Sequence, residues 1–506
     1  MQAKLNRQDV APSLLWFRLD LRLADNPALH AAIQRGGSVI PVFIYAPEEE
    51  APWQPGGASL WWLHQSLRAL QMDLRATGSA LVIRQGPSLA GLRCLLKETG
   101  AGAVFWNRRY EPAVIQRDQN IKETLLADGV DVESFNGALL HEPWTIQNQS
   151  GKPFRVFTPF WRHCLTKPPP NAPPSAPLRI LTPREVPESL ALDALKLEPR
   201  ISWAEGLRVA WQPGAVGAKA QLQRFLREAV SNYGEDRNRP DRVGTSRLSP
   251  HLHFGEITPR QIWHAVRRHA EASQIPETTW RAWQFLTEIG WREFSHHLLY
   301  HFPNTPVEPL RADFKRFPWR KDAAWLKAWQ KGRTGYPIVD AGMRELWTTG
   351  WMHNRVRMIV ASFLVKDLLL SWQEGAAWFW DTLVDADLAQ NTLGWQWTAG
   401  CGADAAPYFR VFNPISQGEK FDPHGDYVRR WCPELKQLPD AWLHKPWQAP
   451  SEILARARVE LDRTYPRPIV SHAIAREVAL EAFSKIRGGQ DGRHGQGGIA
   501  PKVGGR

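Results

Sequence analysis

The chain has 506 residues, 43% of them hydrophobic and 23% charged, more than one ordinary core can organise, so two or three domains with well-filled cores are expected. Lys plus Arg exceed Asp plus Glu by 63 to 51, and the net +12 suits either a polyanionic partner or a solvated basic surface. The four cysteines (Cys94, Cys164, Cys401, Cys432) have no C-x-x-C spacing, which argues against a zinc ribbon, an iron–sulfur cluster or a redox dithiol. No signal-peptide pattern follows Met1 and no apolar run is long enough to cross a bilayer, so a cytoplasmic protein without membrane contact is expected.

From Leu14 to Phe135 short apolar runs alternate with helical periodicity. Strands are predicted at Leu14–Phe17, Ser38–Tyr45, Ala80–Arg84, Ala103–Trp106 and Val130–Phe135. Helices are predicted at Pro27–Ile33, Ser59–Ala76, Ser88–Lys97 and Ala113–Ala127. This βαβ alternation predicts a doubly wound, Rossmann-like parallel sheet over residues 1–140. No G-x-G-x-x-G follows the first strand, so a dinucleotide is not expected there. A linker over 141–213 contains the proline-rich run from Lys167 to Pro177, which favours extended backbone. The pattern then becomes helical over 214–487: Ala218–Tyr233, Thr258–Ala270, Thr278–His301, Asp322–Lys331, Val339–Thr348, Asn354–Ser371, Glu374–Leu383 and Ser471–Lys485. The glycine-rich, basic end, 488–506, reads as a disordered tail.

Tryptophan is abundant: 26 Trp against 8 Tyr, roughly four times ordinary Trp usage. Most will serve core packing, leaving a minority for electronic roles. Between Trp351 and Asn413 the chain sets the Asn354–Met358 run beside the acidic run Asp385–Asn391 and the Gly-Trp-Gln-Trp of Gly394–Trp397. Guanidiniums, carboxylates, an amide and close tryptophans in one stretch suit a large aromatic redox cofactor whose charge must be controlled. Three hydroxyls in Gly244–Pro250 precede a helix start and suit either N-capping or a phosphate. His251 and His253 lack the nearby carboxylates or thiolates that a metal site needs, and His296 and His297 point to different sides of a helix. Glu288 and Trp291 share one helix face, as do Asn354 and Met358 on another. Each pair suits either ordinary packing or a pocket for a flat, uncharged base. Arg357 and Asp385 suit either a structural ion pair or control of a cofactor's charge.

On these residues the chain resembles the photolyase/cryptochrome flavoprotein family, over nearly its whole length. The motifs are Trp16-Phe-Arg-Leu-Asp-Leu-Arg22, Asp25–Leu29, Thr245–Ser249, Trp291–Phe294, Gly335–Ala341, Trp351–Asn354 and Gly394–Trp397. The resemblance implies an N-terminal α/β domain, a linker and an all-α domain that holds FAD. By position it implies FAD contacts at Tyr233, Thr245, Ser246, Arg247, Leu248, Ser249, Asn354, Arg357, Asp385, Ala386, Asp387 and Asn391, with Asn391 beside flavin N5. Trp395, Trp372 and Trp319 match the family's electron-carrying tryptophans.

The same resemblance implies a flipped-base pocket of the kind found in cyclobutane pyrimidine dimer photolyases. Glu288 would hydrogen-bond the dimer, Asn354 contact it, Trp291 and Trp397 wall it and Met358 pack against it. Photolyases for the (6-4) lesion typically carry histidines where this chain has Asn354 and Met358. Arg237, Arg355 and Lys420 would neutralise phosphates of UV-damaged DNA, single- or double-stranded, bound by a monomer at the nucleoid. Asn107 and Glu111 fall where folate-binding members contact their pterin, so methenyltetrahydrofolate is expected as antenna ahead of deazaflavin. Leu19 and Leu393 depart from residues found elsewhere in the family, and the Asn-Thr-Leu-Gly-Trp form resembles the photolyase group nearest plant cryptochromes. A light-sensing cryptochrome without repair activity is the alternative.

Overall fold

The computed structural model describes residues 10–199, 201–405, 407–408 and 410–491, with side chains described as far as residue 486. The chain forms two compact units. One comprises Met1–Pro306, Glu345–Arg355 and Ala377–Thr392; the other comprises Val307–Arg344, Val356–Ala376 and the chain from Leu393 onward.

The first unit is built on five parallel strands: β1 (Ser13–Phe17), β2 (Val39–Tyr45), β3 (Val82–Gln85), β4 (Ala103–Asn107) and β5 (Asp131–Phe135), in the order β3-β2-β1-β4-β5. The crossovers are α1 (Pro27–Arg35), α2 (Gly57–Ala76), α3 (Ser88–Thr99) and α4 (Pro112–Ala127). Each predicted strand and helix of this region is present, with ends shifted by a few residues. Both sheet faces are covered, as parallel sheets require. Leu14, Trp16, Val42, Val104 and Trp106 join one core cluster, while Leu15, Phe17, Phe43, Ile83 and Phe105 join the other. Strand order reverses between β1 and β4, which opens a crevice beyond the strands' carboxyl ends.

Arg22, 1% exposed, closes that end. Its guanidinium donates to the carbonyls of Asp25 (2.7 Å), Gly137 (2.7 Å) and Gly255 (2.8 Å), joining three loops distant in sequence. Trp62 of α2 donates to Glu256 at 3.0 Å, and the other oxygen of Glu256 meets His251 Nδ1. The proline-rich segment has no regular structure; Asp25 N donates to Pro174 O and His264 Nε2 to Pro170 O.

The predicted helix Thr278–His301 is two helices, Glu277–Trp280 and Gln284–His301, because Trp283 adopts extended backbone (φ −59°, ψ 136°). Gln284 therefore opens the second helix. Helix α5 (Phe157–Thr166), hidden in the sequence by the adjoining proline run, packs against it.

In the second unit Asp340 accepts from Thr334 N (2.7 Å), Thr334 Oγ1 (2.6 Å), Gly335 N (3.1 Å) and Tyr465 Oη (2.7 Å), fixing the turn that opens helix Pro337–Thr349. The predicted helix Asn354–Ser371 is α-helical only to Ser362 and widens to a π-turn at Phe363–Asp367. That turn carries two adjacent charges inward. Lys366 donates to Arg410 O at 2.9 Å, and burial lowers its ammonium pKa to about 8. Asp367 meets Nδ1 of His472, which opens the last helix, His472–Asp491. The expected tail, 488–506, starts too early, because that helix runs on to Asp491; residues 492–506 lie outside the described residues.

His297 gives the fold a pH dependence. It is 1% exposed, its Nε2 accepts from Phe154 N at 3.1 Å, and burial lowers its pKa from 6.5 to about 4. Below pH 6.5 the unfolded chain takes up a proton that the folded chain refuses until about pH 4. Stability therefore falls on acidification across that window, by up to about 3 kcal/mol. Denaturant titrations of wild type against His297→Phe should show a flatter pH dependence in the variant, with a loss of about 1 kcal/mol at pH 7 from the missing acceptor.

Candidate functional site

The segment carrying the hydroxyls is shaped by two constraints. Gly244 runs so close to Asp236 that a Cβ would lie 2.6 Å from its side chain, and Arg247 turns through the left-handed region (φ 52°). The Arg247 guanidinium then lies over Trp211 (4.3 Å) and Trp351 (4.9 Å), and Leu248 is buried. Thr245 and Ser246 remain half-exposed and Ser249 exposed, with Ser249 Oγ accepting from Trp351 Nε1 at 3.3 Å.

Asp387 is the electrostatic centre of this unit. Its Oδ1 accepts from Gln390 N at 2.9 Å, capping helix Leu388–Ala399. Its Oδ2 lies 3.4 Å from His296 Nε2 and 3.9 Å from His253 Nδ1. Burial alone would raise its pKa, but His296, His253 and Arg292 outweigh burial and hold the carboxyl well below the usual carboxylate range. Asn391 N donates to Asp387 O at 2.8 Å, so the backbone of the residue predicted beside the cofactor is anchored in the turn that follows this cap. His296 and His297 face different sides of their helix, towards Asp387 and Phe154, and His296 has a task the sequence did not reveal. Among the described residues no group of histidines, cysteines and carboxylates could hold a metal.

A second cluster surrounds Glu288. Arg237 Nη1 lies 2.9 Å from Glu288 Oε1, and Gln284 Nε2 donates to the same oxygen at 2.7 Å. The Arg237 guanidinium also lies 5.9 Å from the Tyr233 ring. Next to it, Arg355 grips Asn238 Oδ1 with Nε and Nη2, and burial together with Arg237 lowers the Arg355 pKa. Asn354, beside Arg355, is exposed. Trp291 stacks on Phe157, rings parallel within 8° at 3.8 Å, so one indole face is covered and the ring held upright. Phe157 sits 134 residues away in sequence with no motif to mark it, and sequence reasoning missed it.

In the second unit the three expected tryptophans are graded in burial. Trp395 and Trp372 are each 2% exposed and Trp319 is half-buried. Trp395 lies against the turn that Trp372 opens, where a Cβ on Gly375 would fall 2.0 Å from the indole. Trp319 packs on Phe317 at 4.3 Å, and Arg320 N donates to Leu369 O, drawing its segment alongside the residues leading to Trp372. Met358, Arg357 and Trp397 are half-buried and Lys420 is exposed.

At the crevice of the sheet, Trp16, Phe43, Tyr45, Glu50, Arg109, Glu111 and Trp380 line a cleft of roughly 710 Å³ including its open mouth. Arg109 pairs with Glu50 (2.6 Å) and Glu111 (2.9 Å). Burial would raise Glu111, yet Arg109 prevails and holds it below the ordinary value. Asn107 is turned away: its amide donates to Asp20 and Asn26, and its oxygen accepts from Ala28 N.

The comparisons agree with this geometry. The DNA photolyase family model matches residues 13–177, and the FAD binding domain of DNA photolyase matches 285–485. A deoxyribodipyrimidine photo-lyase of Agrobacterium fabrum is 50% identical, covering 94% of this chain and 98% of the relative. Cryptochrome-1 of Arabidopsis thaliana is 43% identical, covering 94% and 70%. The crystal structure of a bacterial class III photolyase from Agrobacterium tumefaciens matches with a TM-score of 0.91 at 48% identity, covering 96% of this chain and all of that one. The chain belongs to the DNA photolyase family. The donor types present, solvent-reaching hydroxyls at Thr245, Ser246 and Ser249 beside carboxylate and amide groups, suit FAD.

Gly375→Ala should push Trp395 off its seat. Flavin photoreduction by an external reductant, followed by absorbance, is expected to slow at least several-fold while flavin content is retained; an unchanged rate would show that Trp395 needs no such contact.

Proposed function

We propose that the chain is a light-dependent lyase that repairs cyclobutane pyrimidine dimers in DNA with reduced FAD. The observation that supports this most is the Glu288 cluster: a carboxyl with one oxygen secured by protein donors, beside an indole braced by Phe157. Such a site suits a flipped base that needs one polar contact and a flat apolar wall. Thr245, Ser246, Ser249, Asp387 and Asn391 would hold reduced FAD, whose chemistry there would be light-driven donation of an electron and its recovery. The residues do the rest. Glu288 holds the carbonyl or imide edge of the lesion, Trp291 excludes water from its rings, and Asn354 contacts it. Asn391 offers an amide that hydrogen-bonds without readily giving up a proton. Trp395, Trp372 and Trp319 carry electrons inward from the surface to restore the reduced state.

Residues 1–140 with the cleft would serve as an antenna domain, with 141–213 as linker and 214–487 as the catalytic part. The paired Glu50 and Glu111 carboxylates favour a ring rich in N–H donors, as in a folate, and the spectrum of freshly purified protein tests this: a near-ultraviolet band lost in Glu111→Ala is expected.

Blue-light repair of an oligonucleotide carrying one cyclobutane dimer tests the main reading. Glu288→Ala should lower the yield by roughly tenfold. Absence of repair by wild type, with flavin bound and reduced, would overturn the reading in favour of a photoreceptor. Arg237→Ala, Arg355→Ala and Lys420→Ala should each reduce the slope of log affinity against log salt for duplex DNA by about 0.9.

A further inference from the structure

Gln284 belongs to no motif the sequence singled out. It opens helix Gln284–His301 because Trp283 breaks the backbone before it, and its side chain reaches one turn forward to Glu288. Its amide must present N–H to a carboxylate oxygen, which fixes the orientation of the group. Both Gln284 and Arg237 approach Oε1; among the described residues nothing donates to or accepts from Oε2. The two holders differ in permanence. Gln284 and Glu288 are four apart on one helix, so their contact needs no other segment. Arg237 follows a four-residue helix on a separate segment and is 23% exposed.

We propose that Gln284 is a positioning residue that occupies Glu288 Oε1 and presents Oε2 alone to the lesion. The inference rests on the repair reading above. With Oε1 occupied by N–H donors, any proton on Glu288 sits on Oε2 and is donated to a pyrimidine carbonyl. Without that proton, Oε2 accepts from the imide N–H. Either way the lesion meets one oxygen in a fixed direction, and that oxygen stays in place when Arg237 leaves for the DNA backbone.

The test is dark binding of dimer-containing and undamaged oligonucleotides, together with repair per absorbed photon at saturating DNA. Gln284→Met keeps the shape and removes the donor; Gln284→Lys keeps a donor. In Gln284→Met the preference for the dimer should fall roughly tenfold, with flavin content and affinity for undamaged DNA unchanged, and Gln284→Lys should restore most of it. In a Glu288→Ala background Gln284→Met should have no further effect. An unchanged preference in Gln284→Met, a failure of Gln284→Lys to restore it, or additivity with Glu288→Ala would each overturn the proposal. Wild type that neither prefers nor repairs the dimer would instead overturn the reading on which it rests.

Discussion

A single carboxylate that is only 13% exposed, Asp387, coordinates the parts of the first unit proposed to carry chemistry. Three segments converge on it: the hydroxyl-bearing chain through His253, the Glu288 and Trp291 helix through His296, and the helix bearing Asn391 through its cap. Desolvating a carboxylate is costly unless donors and positive charge surround it. Here the compensation comes from two imidazoles and a backbone amide, each from an element the site needs. The electrostatic requirement of one anion thereby becomes a positional requirement on residues far apart in sequence.

The sheet was legible because its strands obey a simple rule. The three central strands, β2, β1 and β4, are buried on both faces and read as continuous apolar runs, while the intervening helices keep their 3.6 periodicity. The breaks in the helical part were not legible. Trp283 is an ordinary helix residue by propensity, and the packing of Trp280 on Trp263 and of Trp283 against His269 accompanies the break. Likewise the π-turn at Phe363–Asp367 follows from where Lys366 and Asp367 find partners, information that resides in Arg410 and His472.

The site divides the same way. Motif residues with side-chain chemistry, such as Glu288, Trp291, Asp387 and the Thr245–Ser249 run, could be named from the sequence because spacing and residue type carry them. Their supports could not. Phe157 is one phenylalanine among 20 in the chain, and only folding shows it flat against Trp291. Asn107 carried the opposite error: it lies next to the cleft in sequence, yet its side chain is consumed by Asp20, Asn26 and the start of α1. An amide with three local partners within reach satisfies them first, because leaving them unpaired in a dry interior costs more than any gain from facing the cleft.

Steric exclusion completes what charge begins. Trp395 can lie against the turn opened by Trp372 only because position 375 has no side chain, and Gly375 is buried within a helix, where glycine is otherwise unfavourable by roughly 1 kcal/mol. The penalty is offset by close contact of the Trp395 indole with the helix backbone at Gly375. On the proposed electron route, passage between aromatic rings would fall steeply with separation, and a missing methyl group in this helix would then matter as much as a charged residue at the proposed pocket. Residues of both kinds, one defined by what it donates and one by what it leaves out, must be read from the folded chain.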